Sequence, residues 1–368
     1  MDTLTRVQRR GLRQLWRYRY VAGTALVAIA AGAAAWYAIL PAADSIGGAG
    51  QLSAVVCPSS ARCLAIGQDR NGHGVLAAWA RGRWGPATPV GGTYNLFGIT
   101  CPSSRTCLAA GQTGAPEGAI AEIRGLPAGS AKPIAGSEVL SGVACPTGRM
   151  CLAVGYDIYG HAVYTTWNGA TWHPPLEVRG VARFLALACP SSRTCFALAQ
   201  EHPDTAAIAE WHNGLWKLAA RFRNVVQLSG IACPSSLDCV AVGQALPAQG
   251  LVLRWNGSDW NGPDLLPGSD LLEDVTCPAT NLCIAVGTSY SQVGLAEQWD
   301  GSRWHMLPSI QNASILYGVA CPQPGTCLAV GKNSGGDGVG IEVLSTRHRL
   351  GSVATRSTAP GLHRHPLR

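Results

Sequence analysis

Leu140-Ser-Gly-Val-Ala-Cys-Pro-Thr-Gly-Arg-Met-Cys-Leu-Ala-Val-Gly155, followed by Trp167-Asn-Gly-Ala-Thr-Trp172, is one copy of a pattern that fills most of the chain. Its first Cys recurs as Cys57, Cys101, Cys145, Cys189, Cys233, Cys277 and Cys321. Its second recurs as Cys63, Cys107, Cys151, Cys195, Cys239, Cys283 and Cys327. Every step is 44 residues, without insertion or deletion, and Pro follows the first Cys each time. Self-similarity at a fixed period of this size marks a repeat architecture.

Four β-segments can be read in each unit. The first resembles Leu140-Ser-Gly-Val-Ala-Cys145 and the second Cys151-Leu-Ala-Val-Gly155. The third ends on Trp, as in Leu251-Val-Leu-Arg-Trp255, and the fourth starts on Trp, as in Trp304-His-Met-Leu-Pro. Short β-rich runs broken by Gly, Pro, Asn and Asp are strand and hairpin signals. Asn168-Gly169, Asn213-Gly214, Asn256-Gly257 and Asp300-Gly301 join the third segment to the fourth. Asn-Gly suits the positive-φ positions of a tight hairpin turn. Seven such units predict an all-β, seven-bladed β-propeller with four-stranded blades. A β-solenoid is the rival, but its repeat is usually shorter and lacks paired tight hairpins.

The first strand alternates accordingly. Positions 52, 96, 140, 184, 228, 272 and 316 are Leu in all units except Phe184, and positions 54, 98, 142, 186, 230 and 318 are Ala or Gly. Small residues suit innermost strands, where backbones crowd toward the axis. The cysteines sit at the mouth of the first hairpin, close enough for disulfides. The expected pairing is local: Cys57 with Cys63, then each first Cys with the Cys six positions on. A structural zinc would need four ligands, whereas each unit offers two Cys and no regular His.

The chain of 368 residues carries a net charge of +7, but unevenly. Residues 1–19 hold six Arg and one Asp, residues 347–368 hold five Arg and no acid, and the stretch between is net −3. That distribution gives no reason to expect nucleic acid as a partner. Residues 20–40 form a charge-free run of 21 positions directly after the Arg cluster. An apolar helix of that length spans a bilayer, and the flanking Arg predicts a cytoplasmic N-terminus. The expected layout is a basic cytoplasmic segment at 1–19 and a transmembrane signal anchor at 20–40. A Gly-rich linker at 41–51, the propeller at 52–354 and a basic disordered tail at 355–368 follow. Cleavage after a signal peptide, giving a secreted protein, is the alternative.

Trp pairs flank the third-to-fourth hairpin in five units, while blade 2 has Ile123 and Ala128 there and blade 7 has Val343 and His348. Such pairs suit blade packing, and an aromatic ladder could also stack on sugars. Residues 347–354 read as the fourth strand of blade 7, with the Gly-rich segment before residue 52 as the other option.

The repeats vary in the second-to-third strand loops, for example Asp69-Arg-Asn-Gly-His73, Asp157-Ile-Tyr-Gly-His161 and Ser289-Tyr-Ser-Gln292. Loops on a rigid scaffold are where binding groups concentrate, so this variable face is the candidate binding face. His73 and His161 occupy equivalent repeat positions. Near the axis, Glu273 and Asp274 replace small or neutral residues, with Asp264 and Asp270 in the preceding loop. These four acids are a candidate cation or polyol site, calcium being the ion that hard oxygen ligands favour. An exposed acidic loop is the bland reading. No Gly-x-Ser-x-Gly elbow, His-Glu-x-x-His or phosphate-binding Gly loop is present.

Over 52–348 the unit Leu-Ser-Gly-Val-Ala-Cys-Pro-x4-Cys-Leu-Ala-Val-Gly with Trp-Asn-Gly-x-x-Trp resembles secreted or membrane-anchored β-propeller repeat proteins of high-GC bacteria, actinobacteria above all. The resemblance implies a propeller related in shape to sialidase-like and photosystem II assembly-factor propellers. It implies no activity and carries over no site residues. The expected role is a membrane-anchored, extracytoplasmic module that binds or scaffolds a cell-envelope glycan or protein. A glycoside hydrolase or lyase is the alternative, which would need paired carboxylates across a cleft.

Overall fold

The computed structural model describes residues 41–345 apart from Pro203 and Asp204. The expected anchor at 20–40 and the basic segments lie outside the described residues. Among the described residues no helix is long and apolar enough to cross a membrane. Seven antiparallel sheets follow one another along the chain, each at least four-stranded, and form a seven-bladed β-propeller. Their innermost strands are Gln51–Ser59, Asn95–Ser103, Val139–Thr147, Arg183–Ala188, Val225–Ser235, Ser269–Ala279 and Ile315–Gln323. Each touches the innermost strand of the next blade, and the seventh touches the first, so the ring is closed.

The recurring motif follows from two irregularities in the first hairpin. Register shifts between Leu140 and Gly142, and at the matching place in every other blade, mark a β-bulge. A bulge leaves one residue unpaired and bends its strand. In six blades the second strand has no room for a side chain there, as on Gly155, where a Cβ would lie 1.9 Å from the Val139 carbonyl oxygen; blade 4 carries Ala199 at this place. This explains the Gly of Ala-Val-Gly. A second shift between Ala144 and Thr147 takes Cys145 and Pro146 out of register. Pro has no N–H to give the ladder, and the bulge asks for none.

All seven expected disulfides are present, from Cys57–Cys63 to Cys321–Cys327. Seven bonds of this kind belong to a chain matured in an oxidising, extracytoplasmic environment. The Asn-Gly turns correct one detail. Among the Asn-Gly and Asp-Gly turns, only that of blade 4 has both residues at positive φ, Asn213 at 48° and Gly214 at 93°, as Arg81 and Gly82 have in blade 1. In blades 3, 5 and 6 only the Gly does. There the preceding side chain caps the turn, as Asn168 Oδ1 accepts the N–H groups of Ala170 and Thr171 at 3.0 Å.

The ring closes through the Gly-rich segment. The outer strand of blade 7 is Asp44–Ser45, paired antiparallel with Val339 and Gly340 of the third strand. The sequence favoured residues 347–354 for this place. Ala43 and Ile46 are buried beside the strand, and Asn312 donates to the Ala43 carbonyl at 2.8 Å. Two buried apolar anchors and main-chain pairing hold a segment whose composition reads as linker.

Candidate functional site

The second-to-third loops and the connections between blades share one face, opposite the disulfide hairpins. Three loops there share one geometry. In Asp69-Arg-Asn-Gly-His73 the Asp69 carboxylate accepts the N–H groups of Asn71 and His73 at 2.8 and 2.9 Å. Asp157 holds Tyr159 and His161 in the same way, and Asn333 holds Asp337. The fourth residue is a positive-φ Gly in each case, namely Gly72, Gly160 and Gly336. A fourth loop closes from a serine, with Ser289 Oγ accepting the Val293 N–H at 3.3 Å. Each loop is thereby a rigid mount that pushes its second and third residues outward: Arg70 and Asn71, Ile158 and Tyr159, Tyr290 and Ser291.

The two histidines belong to these mounts. His73 Nδ1 lies 3.2 Å from Asp69, and His161 Nδ1 lies 3.4 Å from Asp157. Burial alone would raise the Asp69 carboxyl, but hydrogen bonds from His73 and Asn71 hold it below the usual range. Each histidine therefore serves its own loop, in different blades.

The four acids occupy different places. Asp264 is exposed on the outer strand of blade 5, opposite Val252. Asp270 accepts a hydrogen bond from Gln244 at 2.8 Å, joining blade 5 to blade 6. Glu273 and Asp274 stand together on the innermost strand of blade 6. Glu273 is the bulged residue, lying near Ser229 of blade 5 and Lys332 of blade 7. Asp274 accepts the Val319 N–H across the blade junction at 2.9 Å. Burial pushes both carboxyls up to about 7, with Asp274 adding repulsion at Glu273. A calcium site takes six to eight oxygens. Among the described residues no three His, Cys, Asp or Glu side chains gather as a metal set.

Sequence reasoning missed the aromatic character of the variable face. Tyr94, Tyr159 and Tyr290 are the exposed tyrosines among the described residues, and all three lie here. Tyr159 is 77% exposed and Tyr290 55%. Tyr94 leans over Gly72, where any Cβ would meet its ring at 2.6 Å. Exposed Ile158 and Leu246 add apolar surface. The signal was in Ile-Tyr of 158–159 and in Tyr290, at the loop positions that the shared turn geometry points outward.

Sequence comparison finds no matching family model and no match among curated proteins. Fold comparison finds many propellers. A lectin of Burkholderia pseudomallei, BP39L, superposes with TM-score 0.62 and 11% identity, over 82% of this chain and 97% of that one. The WD40 domain of Neurospora crassa Pan2 gives 0.58 and 10%, over 79% and 89%. A GH74 xyloglucanase of Xanthomonas campestris gives 0.58 and 13%, over 79% of this chain and 52% of that one. At these identities the likeness concerns the fold, and it identifies the chain as a β-propeller.

Proposed function

We propose that this protein is an extracytoplasmic, membrane-anchored binding module whose variable face docks a protein of the cell envelope. One observation carries the reading: Tyr159 and Tyr290 stand exposed on hydrogen-bonded loops, with Tyr94 exposed beside Gly72 of a third such loop, on one face of the ring. Tyrosine gives large contact area at little entropic cost, and such residues anchor protein interfaces. Rigid mounts reduce the ordering cost of binding further. The Arg-flanked run at 20–40 supports anchoring, and the seven disulfides support the outer side. Hydrolase or lyase chemistry would need carboxylates facing each other across a cleft, whereas Glu273 and Asp274 are chain neighbours.

The test is retention of envelope proteins by the full-length chain, compared with Tyr159→Ser/Tyr290→Ser. The reading expects a saturable partner of wild type that the double variant releases. Identical retention by both would end it. Turnover of a glycan by the full-length chain would instead support the enzyme alternative.

A further inference from the structure

Five blades carry the Trp pair, and in four of them the preceding blade covers it. Trp84 of blade 1 lies against Gly340 of blade 7, at a distance that leaves no room for a Cβ. Trp216 of blade 4 packs on Tyr164 of blade 3, with ring centroids 5.7 Å apart. Trp255 and Trp260 of blade 5 meet Phe196 of blade 4 at 5.0 and 5.5 Å. Arg254 of blade 5 stacks on Trp299 of blade 6 at 3.5 Å.

Blade 3 differs: its Trp pair packs against an apolar cluster that includes Leu108, Ile120 and Ile134 of blade 2, yet also borders an open groove. Its Trp167 and Trp172 face blade 2, whose outer strand is Lys132–Ile134. Residues 124–131 pass the pair without forming a strand. Glu122 stands where Arg254 stands in blade 5, and a carboxylate cannot stack as a guanidinium does. The result is a cavity of about 710 Å³ between the two blades. Trp167 and Trp172 line one side, and Ile120, Glu122, Arg124 and Lys132 line the other. It opens beside the disulfide hairpins, away from the variable face.

We infer that this groove binds a carboxylated saccharide of one to three rings. The volume lies within the range of small-ligand sites. Half-buried indoles present electron-rich faces to the C–H side of a pyranose ring. Arg124 Nε already holds Glu122 Oε1 at 2.8 Å, so this pair offers fixed donors and acceptors to hydroxyl groups. With Lys132 the lining carries two cations and one anion, a net positive charge that complements a sugar carboxylate. This adds a second surface to the binding module and does not depend on the first, because Tyr159→Ser/Tyr290→Ser leaves the groove untouched.

Calorimetric titration of the full-length chain with tri-galacturonate, and with chitotriose as the neutral probe, tests it. The expected result is tri-galacturonate binding with Kd below about 1 mM and chitotriose binding at least about tenfold weaker. Lys132→Ala and Trp172→Ala should each weaken tri-galacturonate about tenfold or more. Trp304→Ala disturbs an equivalent pair in blade 6 and should leave the affinity unchanged. Absence of binding, preference for chitotriose, equal binding of an oligoglutamate peptide, or unchanged affinity in Lys132→Ala and Trp172→Ala would overturn the assignment.

Discussion

The Asp274 carboxylate accepts the backbone N–H of Val319 at 2.9 Å and so fastens the innermost strand of blade 6 to that of blade 7. Its position belongs to a ring of seven: Ala54, Gly98, Gly142, Ala186, Gly230, Asp274 and Gly318. No two residues bearing side chains are neighbours in this ring. A Cβ on Gly230 would lie 2.5 Å from Asp274 Cα, and one on Gly318 would lie 2.8 Å from Ala54 Cα. Each junction therefore has room for a side chain from one blade only, and Asp274 uses that room to make a bond.

Replacing Asp274 separates its hydrogen bond from its charge. Asp274→Asn keeps an acceptor for Val319 and removes the ionisable group, so its stability at pH 8 should equal or exceed wild type. Asp274→Gly loses the bond and should cost about 1 kcal/mol relative to Asp274→Asn. Denaturant unfolding of the three proteins reads the difference. A large loss in Asp274→Asn would show that the charge itself is required.

Glu273, Asp274 and the buried Glu297 of blade 6 are all pushed up to about 7 by burial. The unfolded chain holds these carboxyls near their ordinary values, so between about pH 4.5 and 7 the folded state binds more protons. Stability from these groups is full below that window and is lost as pH rises through 7. Asp69 and Asp337 are held low, the latter by Arg70, and they act oppositely below about pH 4. Thermal melts should therefore show a maximum near pH 5, several degrees above pH 8. Asp274→Asn combined with Glu297→Gln should flatten the fall between pH 5 and 8.

Gly230→Ala drives a methyl group into the Asp274 backbone, where no flexible side chain can yield. It should cost about 1–3 kcal/mol, as overpacking does. Ala186→Gly, in the same ring, removes a tolerated methyl and should cost about 1 kcal/mol or less. Unfolding midpoints compare the two, and equal losses would contradict the crowding account.

Residues 41–46 should be required for a closed ring. A chain starting at residue 47 lacks the outer strand of blade 7 and the buried Ala43 and Ile46, and should unfold well below one starting at residue 41. Circular dichroism melts of both measure this. Matching transitions would mean that another segment closes the ring.

The 44-residue step of Cys-Pro made the blade number, the strand order and the disulfides legible, because each blade solves the same packing problem. The closing strand was legible only as the second of two options. Asp44–Ser45 has only two residues, too few to show a period, and lies in Gly-rich sequence. The positions of the acids were hidden for a related reason. Chain proximity placed Asp264 and Asp270 beside Glu273, whereas the outer strand and the blade junction carry them apart. The partner of Asp274 is 45 residues away, in the next blade. The loss of Trp from blade 2 was visible as Ile123 and Ala128. Its consequence, a groove beside the Trp pair of blade 3, needed the blades side by side.

Binding at the variable face is tested most directly by comparing three full-length proteins on envelope extracts. These are wild type, Tyr94→Ser/Tyr159→Ser/Tyr290→Ser, and Leu215→Ser/Leu237→Ser. Leu215 and Leu237 are exposed leucines on the opposite face. Quantitative mass spectrometry of the retained proteins should find one partner held by wild type and by the leucine variant, and lost from the tyrosine variant. A partner retained equally by all three, or lost only from the leucine variant, would contradict binding at the tyrosine face.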